Sequence, residues 1–234
     1  MIHEHTLEVM RREKMEENLK RLSFNIIGYT SRGNADILVK AGTGLGKSDG
    51  YILAAHTIIM KERERQKVVS LKAPAVLIFT QTSDKAKEIL AKVYKYCKGI
   101  KIFNGMGGKG NDFIRDEIKN GFEIIVGGFA KFTGKLGRIN GSPKSEVKFD
   151  LSCVKLIIFD EATTFYNIPH RFDKLKEFAP DIFKAIKIFC DTELDIAKIK
   201  QLCKNSYALE CAYLIKEETV ETFYTNKAVL GIND

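Results

Sequence analysis

Short runs of β-branched and aliphatic residues alternate along this chain with longer stretches in which apolar residues recur every three or four positions. The short runs predict strands over Asp36–Lys40, Ala75–Thr80, Ile100–Phe103, Glu123–Val126, Val154–Phe159 and Ala185–Cys190. The longer stretches predict helices over Ser48–Arg63, Ser83–Lys98, Asp112–Lys119 and Leu194–Lys204. Parallel strands need a crossover to bring the chain back, and intervening helices supply it. The expected fold class is therefore α/β, a doubly wound and mainly parallel sheet flanked by helices, with ligands gathered at the carboxyl ends of the strands. Ahead of the first strand, Leu7, Met10, Met15, Leu19 and Leu22 recur among charged residues and predict an opening amphipathic helix within residues 1–24. The rhythm breaks between Gly134 and Asp150. Gly134, Gly137, Gly141 and Pro143, interleaved with Lys135, Arg138, Lys144 and Lys148, predict a basic loop there.

A chain of 234 residues that is 44% hydrophobic can bury one good core. No stretch approaches the roughly 18 uninterrupted apolar residues of a membrane helix, and the charged amino-terminal segment has no signal-peptide apolar region. A soluble, cytoplasmic or otherwise intracellular protein without a membrane partner is expected. The five cysteines, Cys97, Cys153, Cys190, Cys203 and Cys211, include no C-x-x-C pair and are expected as free, mostly buried thiols. His3, His5, His56 and His170 form no ligand spacing and are expected as surface or packing residues. The net charge of +8 suits a polyanionic partner, and equally a solubilising lysine-rich surface.

One segment changes the picture. Ala41, Gly42, Thr43, Gly44, Leu45, Gly46, Lys47 and Ser48 form the A-x-x-x-x-G-K-S pattern, between a predicted strand and a predicted helix. Glycines there let successive backbone N–H groups turn inward around phosphates, and the helix that follows adds its partial positive charge. Lys47 is expected at the β and γ phosphates and Ser48 on magnesium. Such a site calls for a second strand ending in an acid, which Val154–Phe159 running into Asp160 and Glu161 supplies. Asp160 is the expected metal-side carboxylate. Glu161 is the candidate to polarise an attacking water and accept its proton.

The blocks around these two sites resemble those of superfamily 2 helicases of the DEAD-box-like kind. Asp160-Glu-Ala-Thr163 resembles motif II. Ala75–Thr82, followed by Ser83–Glu88, is similar to motif Ia; Gly107-Gly108 sits at the glycine pair; Ile124–Lys131 resembles the T-P-G-R block, with Lys131 at its arginine. Ile188–Leu194 is similar to the motif III block, Cys190, Asp191 and Thr192 standing for S-A-T. The resemblance covers about Asp36 to Lys204 and implies a RecA-like P-loop NTPase domain, expected over residues 25–206. It further implies ATP with Mg2+ as ligand and single-stranded or duplex DNA or RNA as partner. The nucleic-acid backbone would lie at Gln81, Thr82, Gly107, Gly108, Gly128 and Lys131, with Cys190, Asp191 and Thr192 coupling the two sites. Residues 207–234 would lead towards a second RecA-like domain, which carries the arginine fingers in this family and would act in cis or be supplied by a partner in trans.

Three features depart from the family pattern. No glutamine stands in Arg21–Asn25, where the adenine-reading motif is expected; Phe129 replaces the proline of T-P-G-R; and Asp191 brings a charge into motif III. The glycine loop also resembles that of iron–sulfur helicases, but those place four cysteines between motifs I and II, and here only Cys97 and Cys153 lie there, so no cluster is expected. A stand-alone P-loop ATPase, or a regulatory nucleotide-binding module with a protein partner, is the alternative. Stimulation of hydrolysis by nucleic acid separates the two.

Overall fold

A computed structural model of the chain describes residues 2–15, 19–33, 35–105, 110–142, 148–167, 173, 175, 177, 179–200 and 206–211. In chain order the described elements are α1 (Glu4–Arg12), α2 (Arg21–Arg32), β1 (Asp36–Ala41), α3 (Lys47–Gln66), β2 (Val76–Thr80), α4 (Ser83–Tyr96), β3 (Ile102–Asn104), α5 (Asn111–Asn120), β4 (Ile124–Gly128), α6 (Phe129–Asn140), β5 (Leu156–Asp160), β6 (Ile186–Asp191), α7 (Ile196–Lys200) and β7 (Ser206–Cys211). Short 3₁₀ turns cover Ala162–Asn167 and Pro180–Lys184. No helix among the described residues is long and apolar enough to cross a membrane.

The strands form one sheet in the order β3-β4-β2-β5-β6-β1-β7. Every described pairing is parallel. Strands covered on both faces must be apolar at consecutive positions, which is why β2 and β5 read as uninterrupted runs and are buried throughout. Alternate side chains then divide between two cores. Val39, Ile78, Val126, Ile158 and Ile188 pack under α1 to α4, while Leu38, Phe79, Ile125, Phe159 and Phe189 pack under α6 and the segments after β5. The second core is rich in phenylalanine, with Phe79, Phe129, Phe159 and Phe189 in a chain of ring contacts 4.9–5.8 Å between centroids. Each ring buried in this way contributes about 1.5–3 kcal/mol.

Three expectations are corrected. The opening amphipathic segment is two helices: α1 stops at Arg12, Lys14 takes a left-handed φ of 51°, and α2 runs across the boundary drawn at residue 24. The basic loop begins later than expected, because α6 runs on through Gly134 to Asn140. Two interior glycines cost that helix roughly 1 kcal/mol each, and burial of Phe129, Phe132, Leu136 and Ile139 outweighs the cost. Lys135 is buried on the same helix. Finally, β7 pairs with β1 residue for residue from Asp36↔Ser206 to Ala41↔Cys211, so residues 207–211 belong to the sheet. The helix expected over Leu194–Lys204 is described only as α7; residues 201–205, like Lys144, His170 and Cys203, lie outside the described residues.

Candidate functional site

The site begins where β1 ends. The loop after Ala41 turns through Gly44 and Gly46 at φ of 76° and 84°, a left-handed region open to glycine, before α3 starts at Lys47. Lys47 folds back over the loop and its Nζ donates to the carbonyls of Ala41 and Gly42, the latter at 2.7 Å. The loop is braced from below by α2. Ser23 Oγ donates to the Gly46 carbonyl at 2.7 Å, and a Cβ at Gly46 would fall 2.3 Å from that hydroxyl oxygen. Above the loop opens a cleft of about 400 Å³, lined by residues 42–49, by Lys85, Glu88 and Lys92 of α4, and by Asp160.

Asp160 closes the cleft from the end of β5. Its carboxylate is 4% exposed and accepts a hydrogen bond of 2.9 Å from the hydroxyl of the fully buried Tyr51. Burial pushes the Asp160 pKa up, against the pull of the Tyr51 hydrogen bond and of the Lys85 and Lys47 charges. Glu161 follows with a left-handed φ of 60°, a strained setting for a residue with a side chain. Its Oε2 is buried with no hydrogen-bond partner among the described residues. Burial first, and then the Asp160 charge, raise its pKa as well. Opposite them, burial lowers the Lys47 pKa. Two adjacent carboxyls that both resist ionisation stand where a cation would reverse their preference. Magnesium suits such a place, because it is held by one or two side chains while phosphate oxygens and waters complete its octahedron. No group of three or more His, Cys, Asp or Glu that could hold a metal unaided exists among the described residues.

The neighbouring strand ties this corner down. Register puts Cys190 of β6 beside Asp160, and burial pushes its thiol well above the usual range. Asp191 accepts the Thr163 N–H at 2.8 Å and the Thr192 N–H at 2.6 Å, while Thr163 Oγ1 donates to the Glu193 carbonyl at 3.2 Å. Burial alone would raise the Asp191 pKa, but these donors hold it below the ordinary value. Asp191 thus meets the segment after Glu161 directly, Cys190 lies beside Asp160, and Thr192 bonds Asp191.

The remaining sequence-predicted residues fall on the carboxyl side of β2 and β4. Thr82 caps α4 by accepting the Lys85 N–H at 3.2 Å, next to Gln81, and Gly128 caps α6. Lys131 reaches across to Ser83 Oγ at 3.2 Å, bringing the two loops together. Gly107 and Gly108 lie outside the described residues. The cations expected to extend this surface are differently engaged: Lys135 points inward to the Gly105 carbonyl, Arg138 donates to Gly134, and Lys148 bonds the Asn140 and Ser142 carbonyls.

Sequence reasoning missed three site residues. Tyr51 lies four positions after Lys47, the spacing that returns a helical side chain to the same face. Ser23 carries no recognisable signal. Lys85 did carry one, since it lies in the first turn of α4, where the helix field disfavours a cation.

The sequence profile of the DEAD/DEAH box helicases matches residues 25–192. The chain belongs to the DEAD/DEAH box helicase family. It is 24% identical over 140 residues to nucleolar RNA helicase 2-A of Xenopus laevis, a match covering 60% of this chain and 17% of that protein. It is 23% identical over 188 residues to ATP-dependent RNA helicase DBP9 of Yarrowia lipolytica, covering 78% and 32%. The chain thus spans less than a third of these curated relatives. Among solved structures, a DEAD box protein from the hyperthermophile Methanococcus jannaschii superposes with a TM-score of 0.70 at 17% identity, over 89% of this chain and 54% of that one. The Saccharomyces cerevisiae Dbp5, solved with Nup159, Gle1, IP6 and ADP, gives 0.69 at 15% identity, over 92% and 53%. The fold is the RecA-like domain of DEAD-box helicases, and the family is that of an amino-terminal superfamily 2 helicase domain.

Proposed function

We propose that this DEAD/DEAH box domain is a motor half that binds ATP with Mg2+ in the cleft above Gly42–Ser48, hydrolyses it, and couples nucleotide state to RNA. The observation that carries the proposal is the convergence of Lys47 and Asp160 on one cleft beside a glycine loop at a helix N-terminus, with Glu161 next to Asp160 at the end of β5. Loop amides and Lys47 hold the β and γ phosphates, Lys47 exchanging its carbonyl partners for phosphate oxygens. Ser48 and Asp160 are the residues that would hold Mg2+, which when bound supplies charge neutralisation for the leaving phosphates. Glu161 orients the attacking water and takes its proton as the γ-phosphoryl is transferred, its raised pKa bringing it nearer the working pH of a base. Asp191 holds the segment after Glu161 through the Thr163 N–H, and the Gln81 backbone donates to Glu161, which joins that chemistry to the loops at Gln81, Thr82, Gly128 and Lys131, where a phosphate backbone would lie.

RNA is favoured over DNA because the relatives of known type are named as RNA helicases. A second RecA-like domain, in cis or in trans, completes the clamp in this proposal. The test is ATP turnover measured with and without single-stranded RNA and, separately, single-stranded DNA. Stimulation by RNA supports the reading. Turnover indifferent to both would favour a stand-alone ATPase or a regulatory module with a protein partner.

A further inference from the structure

Of the three lysines that line the cleft, two stand at helix starts. Lys47 opens α3, and Lys85 sits in the first turn of α4, both among the cleft-lining residues. The field at a helix N-terminus opposes a cation, so each placement costs free energy unless an anion lies in front of it. The Lys85 charge also works against Lys47, one of the influences that lower the Lys47 pKa.

Strand order says which part of a triphosphate would meet Lys85. The glycine loop follows β1, Asp160 and Glu161 end β5, and α4 follows β2, which is β5's neighbour on the side away from β1. Phosphates anchored at the loop and running towards Asp160 therefore approach the start of α4 with their terminal group. The other charged residues lining the cleft are accounted for. Lys92 is paired with Asp49 at 3.0 Å, and Asp160 accepts the Tyr51 hydroxyl. Lys85 is held by Glu88, three positions along the same helix, at 2.9 Å, with the Glu88 side chain 53% exposed. Exposed pairs of this kind are worth little, so the ammonium exchanges partners readily. Burial lowers the Lys85 pKa, but the Glu88 hydrogen bond and the fields of Asp160 and Glu161 raise it further, and the ammonium stays charged.

We infer that Lys85 is a γ-phosphate contact: it leaves Glu88 for the terminal phosphate of a nucleoside triphosphate and so makes the domain discriminate triphosphate from diphosphate. The inference rests on the proposed ATP site and assigns its γ-phosphate end. Bound diphosphate leaves Lys85 with Glu88; bound triphosphate draws it across the cleft. The start of α4, and with it the Thr82 and Ser83 loop that Lys131 touches, then carries a direct report of the γ-phosphate.

The test is calorimetric affinity of the 234-residue chain for Mg-ADP and for a Mg-bound non-hydrolysable ATP analogue, in wild type, Lys85→Met, Lys85→Arg, Glu88→Gln and Lys47→Ala. A lost charge-assisted phosphate contact corresponds to about 10- to 100-fold in affinity. Lys85→Met is expected to lose that factor for the triphosphate analogue and to leave ADP within about twofold, with Lys85→Arg recovering most of the loss. Glu88→Gln is expected to shift the triphosphate-to-diphosphate ratio the other way, because the competing partner is weakened. Equal losses for both nucleotides in Lys85→Met, or none, would overturn the γ-phosphate assignment while a weakened Lys47→Ala variant left the ATP site standing. A Lys47→Ala variant that also bound both nucleotides like wild type would overturn the assignment and the proposed site together.

Discussion

Asp160 is held by opposing influences that can be separated by mutation. Burial disfavours its ionised form and the Tyr51 hydroxyl favours it. Tyr51→Phe removes that donor, together with the Ser48 hydrogen bond to the same hydroxyl. The acid limb of Mg-ATP binding, which requires ionised Asp160, should then move to higher pH, and binding measured from pH 5 to 8 checks this. The raised native pKa also fixes the sign for stability of the protein without ligand. The contribution of Asp160 is fully present below its unfolded pKa of about 3.9 and is lost as pH rises through the higher native value. Asp160→Asn is therefore expected to raise Tm at pH 7 in the absence of nucleotide and to abolish the magnesium dependence of binding. A lower Tm for this variant would contradict the desolvation account. Glu161→Gln should spare binding and suppress turnover, since it keeps the shape and loses the base.

Elements are held to one another at the opposite end of the sheet by a different carboxylate. Glu123, fully buried just before β4, accepts Arg63 Nε of α3 at 2.6 Å, the Leu71 N–H at 2.9 Å and the Lys101 N–H at 3.0 Å. Removing one partner of a buried pair costs about 3–5 kcal/mol. Glu123→Gln should thus lower Tm by roughly 6–20 °C. ATP affinity of the folded fraction should be unchanged, because the cleft lies at the carboxyl ends of the strands. On the loop side, Lys131→Ala should reduce the salt slope of single-strand binding by about 0.7, one phosphate contact, without affecting ATP. Identical slopes in anisotropy titrations would remove Lys131 from the proposed track. Elements were legible in the sequence to the extent that their signal is local. β2 and β5 announce themselves because both faces are buried and every position is apolar. α6 does not, because Gly134 and Gly137 dominate its local preference while the burial that forms it comes from Phe79, Phe159 and other residues distant in sequence. β7 owes its place to pairing with β1, across most of the chain. The same division holds in the cleft. The glycine loop and the Asp160-Glu161 pair are contiguous and readable, whereas Tyr51 gains its meaning only once β5 places Asp160 above it, and Lys85 only once β2 lies beside β5.

At the scale of the whole molecule, the cleft gathers three lysines, and among the described residues no arginine lines it. Phosphoryl transfer without an arginine finger forgoes about 10³- to 10⁵-fold in rate, so the 234-residue polypeptide alone should hydrolyse ATP slowly and separate no strands. Strand separation by the purified polypeptide would show that it needs no completing domain. Ligand linkage gives a stability readout of the same site, since Mg-ATP at about 100 times its Kd should add about 2.7 kcal/mol, or roughly 5–11 °C in Tm. The central claim is that Lys47 and its glycine loop form a triphosphate site, and calorimetric titration of Mg-ATP into wild type and Lys47→Ala tests it most directly. One site per chain, with affinity falling at least about tenfold in the variant, is the predicted result; equal affinity in the two proteins would contradict it.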